Sequence, residues 1–499
     1  MNKIITVPKK LKEILNGFGH LFTAPSHVNF IYLVAAIIGC EGRKTLLNLH
    51  RTIANVCKDK KAYQTYRYFL NDGKWDEDKV AQKTADVFLK KMGVENGKRV
   101  LVTIDDTFEE KNGKNTFGVG KFWDHKTRGY IWANNIVTSI IQCGKHFIPY
   151  KAGIYVKEED VKKWNVKFRK KHEIAYDDII KPLKVDKHAK VYVVVDAAYF
   201  NKEFIDNCRS ERYQVCGRIK NNAILIQDDG SEINITQHFG KIIDEKERKI
   251  TLTVRGKNKT YYIVDDILNL KSIGKCKVVA SRTEECLFAW VDITGKDSKC
   301  FREHLEEDLK INWAKDAKIK KIDEENICVT NGENSLILTI SKRENKVILR
   351  RNNEKPYEYI LKNEEGKFNI YDDKKVKYYG CTDRRISAID ILYIYENRWN
   401  IETVHKEGNQ KLGFKNYQMR NGKAIERMFQ IIFLVWAILL LLGVSREKTL
   451  RDKSLLSAMI NHIQIKYYID ILLFIFKHYG VRPPIRDLAK LLKSIGFEL

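Results

Sequence analysis

A chain of 499 residues, at about 150 residues per domain, is too long for a single core and predicts roughly three domains. Charged residues at 31% beside hydrophobic residues at 44% exclude an intrinsically disordered chain, and seven prolines exclude long proline-rich linkers. Lysine and arginine number 90 against 64 aspartates and glutamates, a net charge of +26, so the first partner to consider is a polyanion.

The N-terminal MNKIITVPKKLKEIL carries charge but no continuous apolar stretch, so no signal peptide is expected. NFIYLVAAIIG, TLLNLHRTIANVC and DKVAQKTADVFLKKM have helical spacing, which predicts a helical N-terminal domain over 1–97. Within it, Tyr63, Tyr66, Tyr68 and Phe69 interleave with Arg67 and Lys74, as in a helix that packs one face and presents the other. After residue 97 the pattern changes. KRVLVTIDD, YIWANNIVTSIIQC and KHFIPYKAGIYV read as three strands, KHEIAYDDIIKPLK as a helix and AKVYVVVD as a fourth strand. A helix over AAYFNKEFIDNCR and a strand over RYQVCGRIK complete the segment 98–221, and this order of elements is that of an RNase H-like α/β fold. From 222 to 380 short β-like runs alternate with polar turns, a β-rich insertion after which helices return. The expected architecture is therefore an RNase H-like core in two parts, 98–221 and 381–445, interrupted by that insertion and followed by a helical region at 446–499.

The ten cysteines are scattered singly without paired spacing, which predicts reduced thiols and no zinc site. The uncharged run from Met428 to Ser445 just reaches the length of a membrane span. It contains Gln430 and is flanked by Arg427 and Arg446, and it reads as a buried core helix.

Three acidic positions stand where the expected fold would bring them together: Asp105 or Asp106 at the end of the first strand, Asp196 at the end of the fourth, and Glu402 on a later helix. Hard carboxylate oxygens suit Mg²⁺, and two such ions can activate one oxygen and stabilise another in a displacement at phosphorus. In ILYIYENRWNIETVHKEGNQKLG, Tyr395, Arg398, Glu402 and His405 recur every three or four residues and line one helical face. A guanidinium on such a stripe can grip a phosphate with two hydrogen bonds.

At these residues the chain resembles the DDE transposases of bacterial insertion sequences, in the subgroup with the signature Tyr, two residues, Arg, three residues, Glu, six residues, Lys. Tyr395, Arg398 and Glu402 match that spacing, CTDRRISAID upstream and AIERMFQIIFLVWAILLLL downstream are similar to the family's flanking segments, and Asn409 stands at the signature lysine. IDDTFEEKNGK resembles the family's first acidic segment and points to Asp106, while VVVDAAYF resembles the second and points to Asp196. The resemblance implies a catalytic triad of Asp106, Asp196 and Glu402 holding two Mg²⁺ ions, with Mn²⁺ able to substitute. It implies DNA contacts from Tyr395, Arg398, Trp399, His405, Lys406, Asn409 and Lys411, cut-and-paste movement, and a homodimer that pairs two terminal inverted repeats before attacking target DNA. The N-terminal helices would bind DNA, and the enzyme would work in the cytoplasm on the nucleoid without a membrane.

The residue reading adds Arg218 and Lys220, which leave the sheet in CGRIKNN, as possible phosphate contacts or as a solvated strand end. VKKWNVKFRKKH at 161–172, with six basic residues around Trp164 and Phe168, reads as a DNA-tracking surface or a solvated face. Two other activities fit the same residues: a decayed or repurposed DNA-binding protein, and a nuclease without strand transfer.

Overall fold

The computed structural model describes residues 3–124, 129–240, 246–254, 256–283, 285–307, 309–351, 356–364, 367–372, 376–444 and 455–478. The chain is a mixed α/β protein that divides into two units, Met1–Gly217 with Ile394–Leu499, and Arg218–Tyr393.

The first unit is built on a mixed sheet. Its strands are β1 (Arg99–Glu110), β2 (Gly120–Asp124), β3 (Gly129–Cys143), β4 (His146–Tyr155), β5 (Lys190–Val195) and β6 (Gln214–Ile219), whose last two residues belong to the second unit. They lie in the order β4-β3-β1-β5-β6, with β2 paired to the start of β3. The hairpin strands are antiparallel, whereas β1, β5 and β6 run parallel. Parallel strands need long crossovers and covered faces, and the sequence supplies both. Val100, Val102, Ile104, Val193, Val194 and Val195 are fully buried. Lys202–Ser210, a helix capped by the Asn201 side chain on the Phe204 amide, carries the chain from β5 to β6. β2 was not expected from the sequence. It is five residues long and its middle lies in a stretch broken by glycines, so it carries little periodic signal.

The long helices are α1 (Lys9–Asn16), α2 (Ala24–Gly39), α3 (Leu46–Thr52), α4 (Tyr63–Asn71), α5 (Glu77–Lys91), α6 (Lys202–Ser210), α7 (Ala388–Glu396), α8 (Asn400–Glu407), α9 (Gly422–Val444) and α10 (Leu455–His478), of which α5, α8 and α9 pack on the sheet of the first unit. The predicted N-terminal helices are present as α2 to α5. In α4 Tyr66, Phe69 and Leu70 are buried while Tyr68 is exposed, the one-sided packing its spacing requires.

Among the described residues α9 is the one helix long and apolar enough to cross a membrane. It is a core helix. Ile425, Met428, Phe429, Ile432 and Trp436 are buried, and α9 packs on β4, α2, α4, α5 and α10. Arg427, 2% exposed, donates to the Leu70 and Trp75 carbonyls at 3.1 and 2.5 Å and to Glu77 at 3.1 Å. A buried arginine whose three nitrogens each donate to a protein group belongs in a protein interior. Nine of the ten cysteines, all but Cys286, are free thiols.

The second unit carries two antiparallel sheets. One is formed by Ile224–Ile226, Glu232–Asn234, Arg248–Val254, Lys257–Leu270, Gly274–Arg282 and Val376–Cys381. The other has seven strands between Glu285 and Asp372, whose inner face (Val329, Leu338, Val347, Tyr359, Ile370) packs against Phe301 and Leu305 of the Ser298–Glu307 helix. That helix lies inside a stretch read from sequence as strands and turns, and its apolar face supplies part of the sheet's core.

Candidate active site

The parallel register of β1 and β5 places Thr103 beside Val194, so two residues further on Asp105 is level with Asp196. Partners in register share a face, and one step along a strand reverses it. Asp105 therefore shares its face with Asp196, and Asp106 points the other way. The side chains follow this rule. Asp105 Oδ2 accepts from Arg398 at 2.5 Å, and the same guanidinium lies 3.7 Å from Glu402 Oε1. Asp106 instead accepts from Lys171 Nζ at 2.7 Å, Asn135 Nδ2 at 3.1 Å and Tyr199 OH at 3.1 Å.

The sequence reading placed the first ligand at Asp106. The structure brings Asp105, not Asp106, to the arginine and glutamate of the later helix, and the physical reason is the alternation of side chains along β1.

The signature segment is not one straight helix. α7 passes through a 3₁₀ turn at Asn397–Trp399 into α8, which ends in a π turn at Gly408–Leu412. A polar stripe on β3 holds this segment in place. Gln142, Thr138 and Asn134, each at most 2% exposed, are four residues apart and so lie on one face of the strand. Gln142 bonds Asn397 at 2.7 Å and Asn400 at 2.8 Å, Thr138 bonds His405 Nε2 at 2.7 Å, and Asn134 accepts from Tyr417 OH at 2.8 Å. Buried amides and hydroxyls are costly unless paired, so these bonds fix the register of the helix on the sheet. Sequence reasoning missed this stripe, and its signal was polar residues recurring inside an otherwise apolar strand.

Burial pushes the Asp105 carboxyl up to about 6; Arg398 opposes that rise, while Asp196 and Asp106 add to it. Arg398 is held above its ordinary range although burial works against its charge, because Asp105 and then Tyr395, Asp196 and Glu402 surround it. The Tyr199 hydroxyl is also pushed well up, by burial and then by Asp106, Asp105 and Asp196, and it remains a donor. Three aspartates thus press on one small region at the strand ends.

The remaining expected contacts separate. The Tyr395 ring lies 5.7 Å from the Arg398 guanidinium, and Trp399 is 45% exposed beside it. Lys406 is exposed. His405 faces the sheet, stacked on Phe414 and bonded to Thr138, and Lys411 pairs with Glu407 at 3.0 Å. Asn409, at the signature lysine position, turns its amide to the buried Glu109 at 2.9 Å and does not face outward. Arg218 and Lys220 fall in the second unit, Arg218 within β6 and Lys220 just beyond it. In the 161–172 run, Arg169 is bonded twice to Asp178, Lys171 to Asp106 and Lys163 to the Lys114 carbonyl.

The donor chemistry fits a divalent metal. Asp105 and Asp196 offer hard oxygens at one level of the sheet, and the raised Asp105 carboxyl is of the kind a cation relieves. Among the described residues, no group of three or more His, Cys, Asp or Glu side chains is gathered closely enough to hold a metal ion. Arg398 stands between Asp105 and Glu402.

The chain matches two families of DNA-processing proteins. The DDE superfamily endonuclease family matches residues 18–234, which include both aspartate-bearing strands. The transposase DDE domain matches residues 169–438, which include Asp196, Arg398 and Glu402. The chain belongs to the DDE transposase family. No curated protein matches it.

Proposed function

We propose that this chain is an insertion-sequence transposase that cuts DNA at the element's ends and joins the freed 3′-hydroxyl to target DNA by a cut-and-paste route. The observation that carries this reading is the Arg398 bridge, which joins Asp105 and Glu402 across nearly 300 residues of sequence beside Asp196. The strand order β4-β3-β1-β5-β6, with its first three strands antiparallel and its last three parallel, supports an RNase H-like core. The β-rich unit at 218–393 would be the insertion between the second aspartate and the glutamate, and helices α1 to α5 the DNA-binding domain.

In this reading Asp105, Asp196 and Glu402 are the ligands of two Mg²⁺ ions, with Mn²⁺ as a substitute. When bound, the ions supply activation of the attacking oxygen and stabilisation of the leaving one. The protein's own groups do the rest. Arg398, released from Asp105, grips a backbone phosphate with its planar fork. Tyr395 braces that guanidinium, Trp399 offers an exposed ring to a displaced base, and Lys406 adds a surface charge for phosphate. Asp106, already accepting three hydrogen bonds, positions Lys171 and Tyr199 beneath the site. The homodimer and its inverted repeats follow from the pairing of two ends.

The test incubates the protein with a labelled duplex of the element's own end, with Mg²⁺, with EDTA, and with Glu402→Gln in parallel. Cleavage that needs both metal and Glu402 is expected. Tight binding without cleavage in every lane would replace this reading with a decayed DNA-binding protein. Cut ends that never join a target plasmid would leave a nuclease.

A further inference from the structure

We propose that the two-stranded arm made by β2 and the first residues of β3 is a stacking platform for unpaired DNA bases, placed to take a strand that leaves the acidic edge; this rests on the transposase reading above. Beyond Lys111, whose amide donates to the Trp132 carbonyl at 2.9 Å, the start of β3 pairs with β2 alone. The register sets Lys121 opposite Trp132 and Trp123 opposite Tyr130, so all four side chains share one face. On that face Tyr130 is 64% exposed, Trp123 45% and Trp132 38%. Trp123 and Tyr130 meet edge to face at 5.3 Å, Lys121 Nζ lies 4.7 Å from the Tyr130 ring centre, and Lys114 Nζ lies 4.6 Å from that of Trp132.

Three large exposed rings on a narrow arm are a patch that water alone does not explain. Rings interleaved with ammonium groups match one partner chemistry in both parts: bases stack on the rings and phosphates meet the lysines. Duplex DNA hides its base faces, so the partner that uses the rings is an unpaired strand.

The arm's position fits that use. Asp105 and Lys111 are six residues apart on β1, and alternation puts Asp105, Trp132 and Tyr130 on the same side of the sheet. The platform therefore starts roughly 20 Å from Asp105, the length of about six stacked nucleotides. The arm's base is braced, since Lys163 Nζ donates to the Lys114 carbonyl at 3.1 Å and the Phe117 ring lies 5.5 Å from Trp164. The basic 161–172 run thus serves the arm as a buttress.

Fluorescence anisotropy with a blunt element-end duplex, and with the same duplex carrying a single-stranded extension of about ten nucleotides at ~3.4 Å each, tests the proposal. The full-length protein should bind the extended DNA more tightly. The double variant Trp123→Ala with Trp132→Ala, checked for fold by circular dichroism, should lose roughly tenfold or more on the extended DNA and keep its affinity for the blunt duplex. Phenylalanine at both positions should restore the preference. An unchanged double variant, or equal loss on both DNAs, overturns the proposal. So does loss of binding to anionic lipid vesicles, or of a dimer in sedimentation, as the only effect of the double variant. If the wild-type protein neither binds nor cuts either DNA, it is the transposase reading that has failed. If it cuts the end and the double variant binds as wild type, only the arm has failed.

Discussion

The two faces of strand β1 treat adjacent aspartates in opposite ways. Asp106 is surrounded by an ammonium, an amide and a phenol that together satisfy its carboxylate. Asp105 accepts its own neighbour's amide at 2.9 Å and a guanidinium that Glu402 also approaches. The first carboxylate is a finished structural group, since removing it would leave the buried Asn135 amide and Tyr199 hydroxyl without their acceptor. The second is held by one long side chain besides that amide and is crowded by Asp196, the arrangement from which its proposed ligand role is argued. The lesson is that in a strand ending in two acids, register with the neighbouring parallel strand decides which one reaches the site, and the identity of the residues does not.

The sharpest way to break this comparison is to neutralise each acid in turn. Asp105→Asn should lower metal-dependent cleavage by at least about 10³-fold, because the ligand set acts as a unit. Asp106→Asn should keep cleavage within about tenfold of wild type, and should instead lower the melting temperature by leaving Lys171 without its anion, a cost of about 1–3 kcal/mol. Rates measured on a labelled end duplex and thermal unfolding of both variants would decide it. The reverse pattern would return the ligand to Asp106.

Much of this was legible in the sequence, and what was not has identifiable causes. The runs VLVTIDD and VYVVVD announce buried strands that stop at acids, and the spacing of Tyr395, Arg398 and Glu402 announces one helical face. Arg398 and Glu402 do meet at i,i+4. The choice between Asp105 and Asp106 needed the register with β5, which depends on contacts some 90 residues away. The role of Asn409 was hidden because its partner, Glu109, lies 300 residues earlier. His405 reads as part of the same helical face as Arg398 and Glu402, and it does meet the sheet beside them, through Thr138, the register partner of Asp105; its bond to that hydroxyl, 267 residues earlier, carries no sequence signal. The helix within the β-rich unit escaped notice because SKCFREHLEE is short and largely polar.

A second comparison sets the site against its scaffold. Glu426 of α9 borders a cavity of about 340 Å³ lined also by Ile154, Arg169, Ile174 and Lys423. Burial raises its carboxyl to about 7, Asp178 and Glu77 add to the rise, and Lys151 and Arg169 oppose it. A carboxyl raised on folding favours the native state while it is protonated. Its contribution is complete below the unfolded value of about 4.5 and is lost as pH rises through about 7. Thermal unfolding between pH 5 and pH 8 should therefore show a decline that Glu426→Gln flattens, with the variant the more stable protein at pH 8. A variant whose profile parallels wild type would place the pH dependence elsewhere, with the crowded acids around Asp105 next in line.

The smallest effect concerns position 409, where a lysine would restore the family signature. Glu109 is buried, its carboxyl raised by burial and drawn back by the Asn409 amide and by Lys111. Lys111, itself pushed down to about 8 by burial, lies over the Tyr417 ring and donates to the Lys415 carbonyl at 2.8 Å. A lysine introduced at 409 would meet this carboxylate before it met any phosphate. Asn409→Lys should thus change affinity for the end duplex less than about twofold and leave the slope of log affinity against log salt unaltered. A phosphate contact at 409 would instead steepen that slope by about one counterion. Titrations at several salt concentrations separate the two cases, and a steeper slope would mean that the π turn opens on DNA and that Asp105's face extends its DNA contacts one helical turn further than the present packing allows.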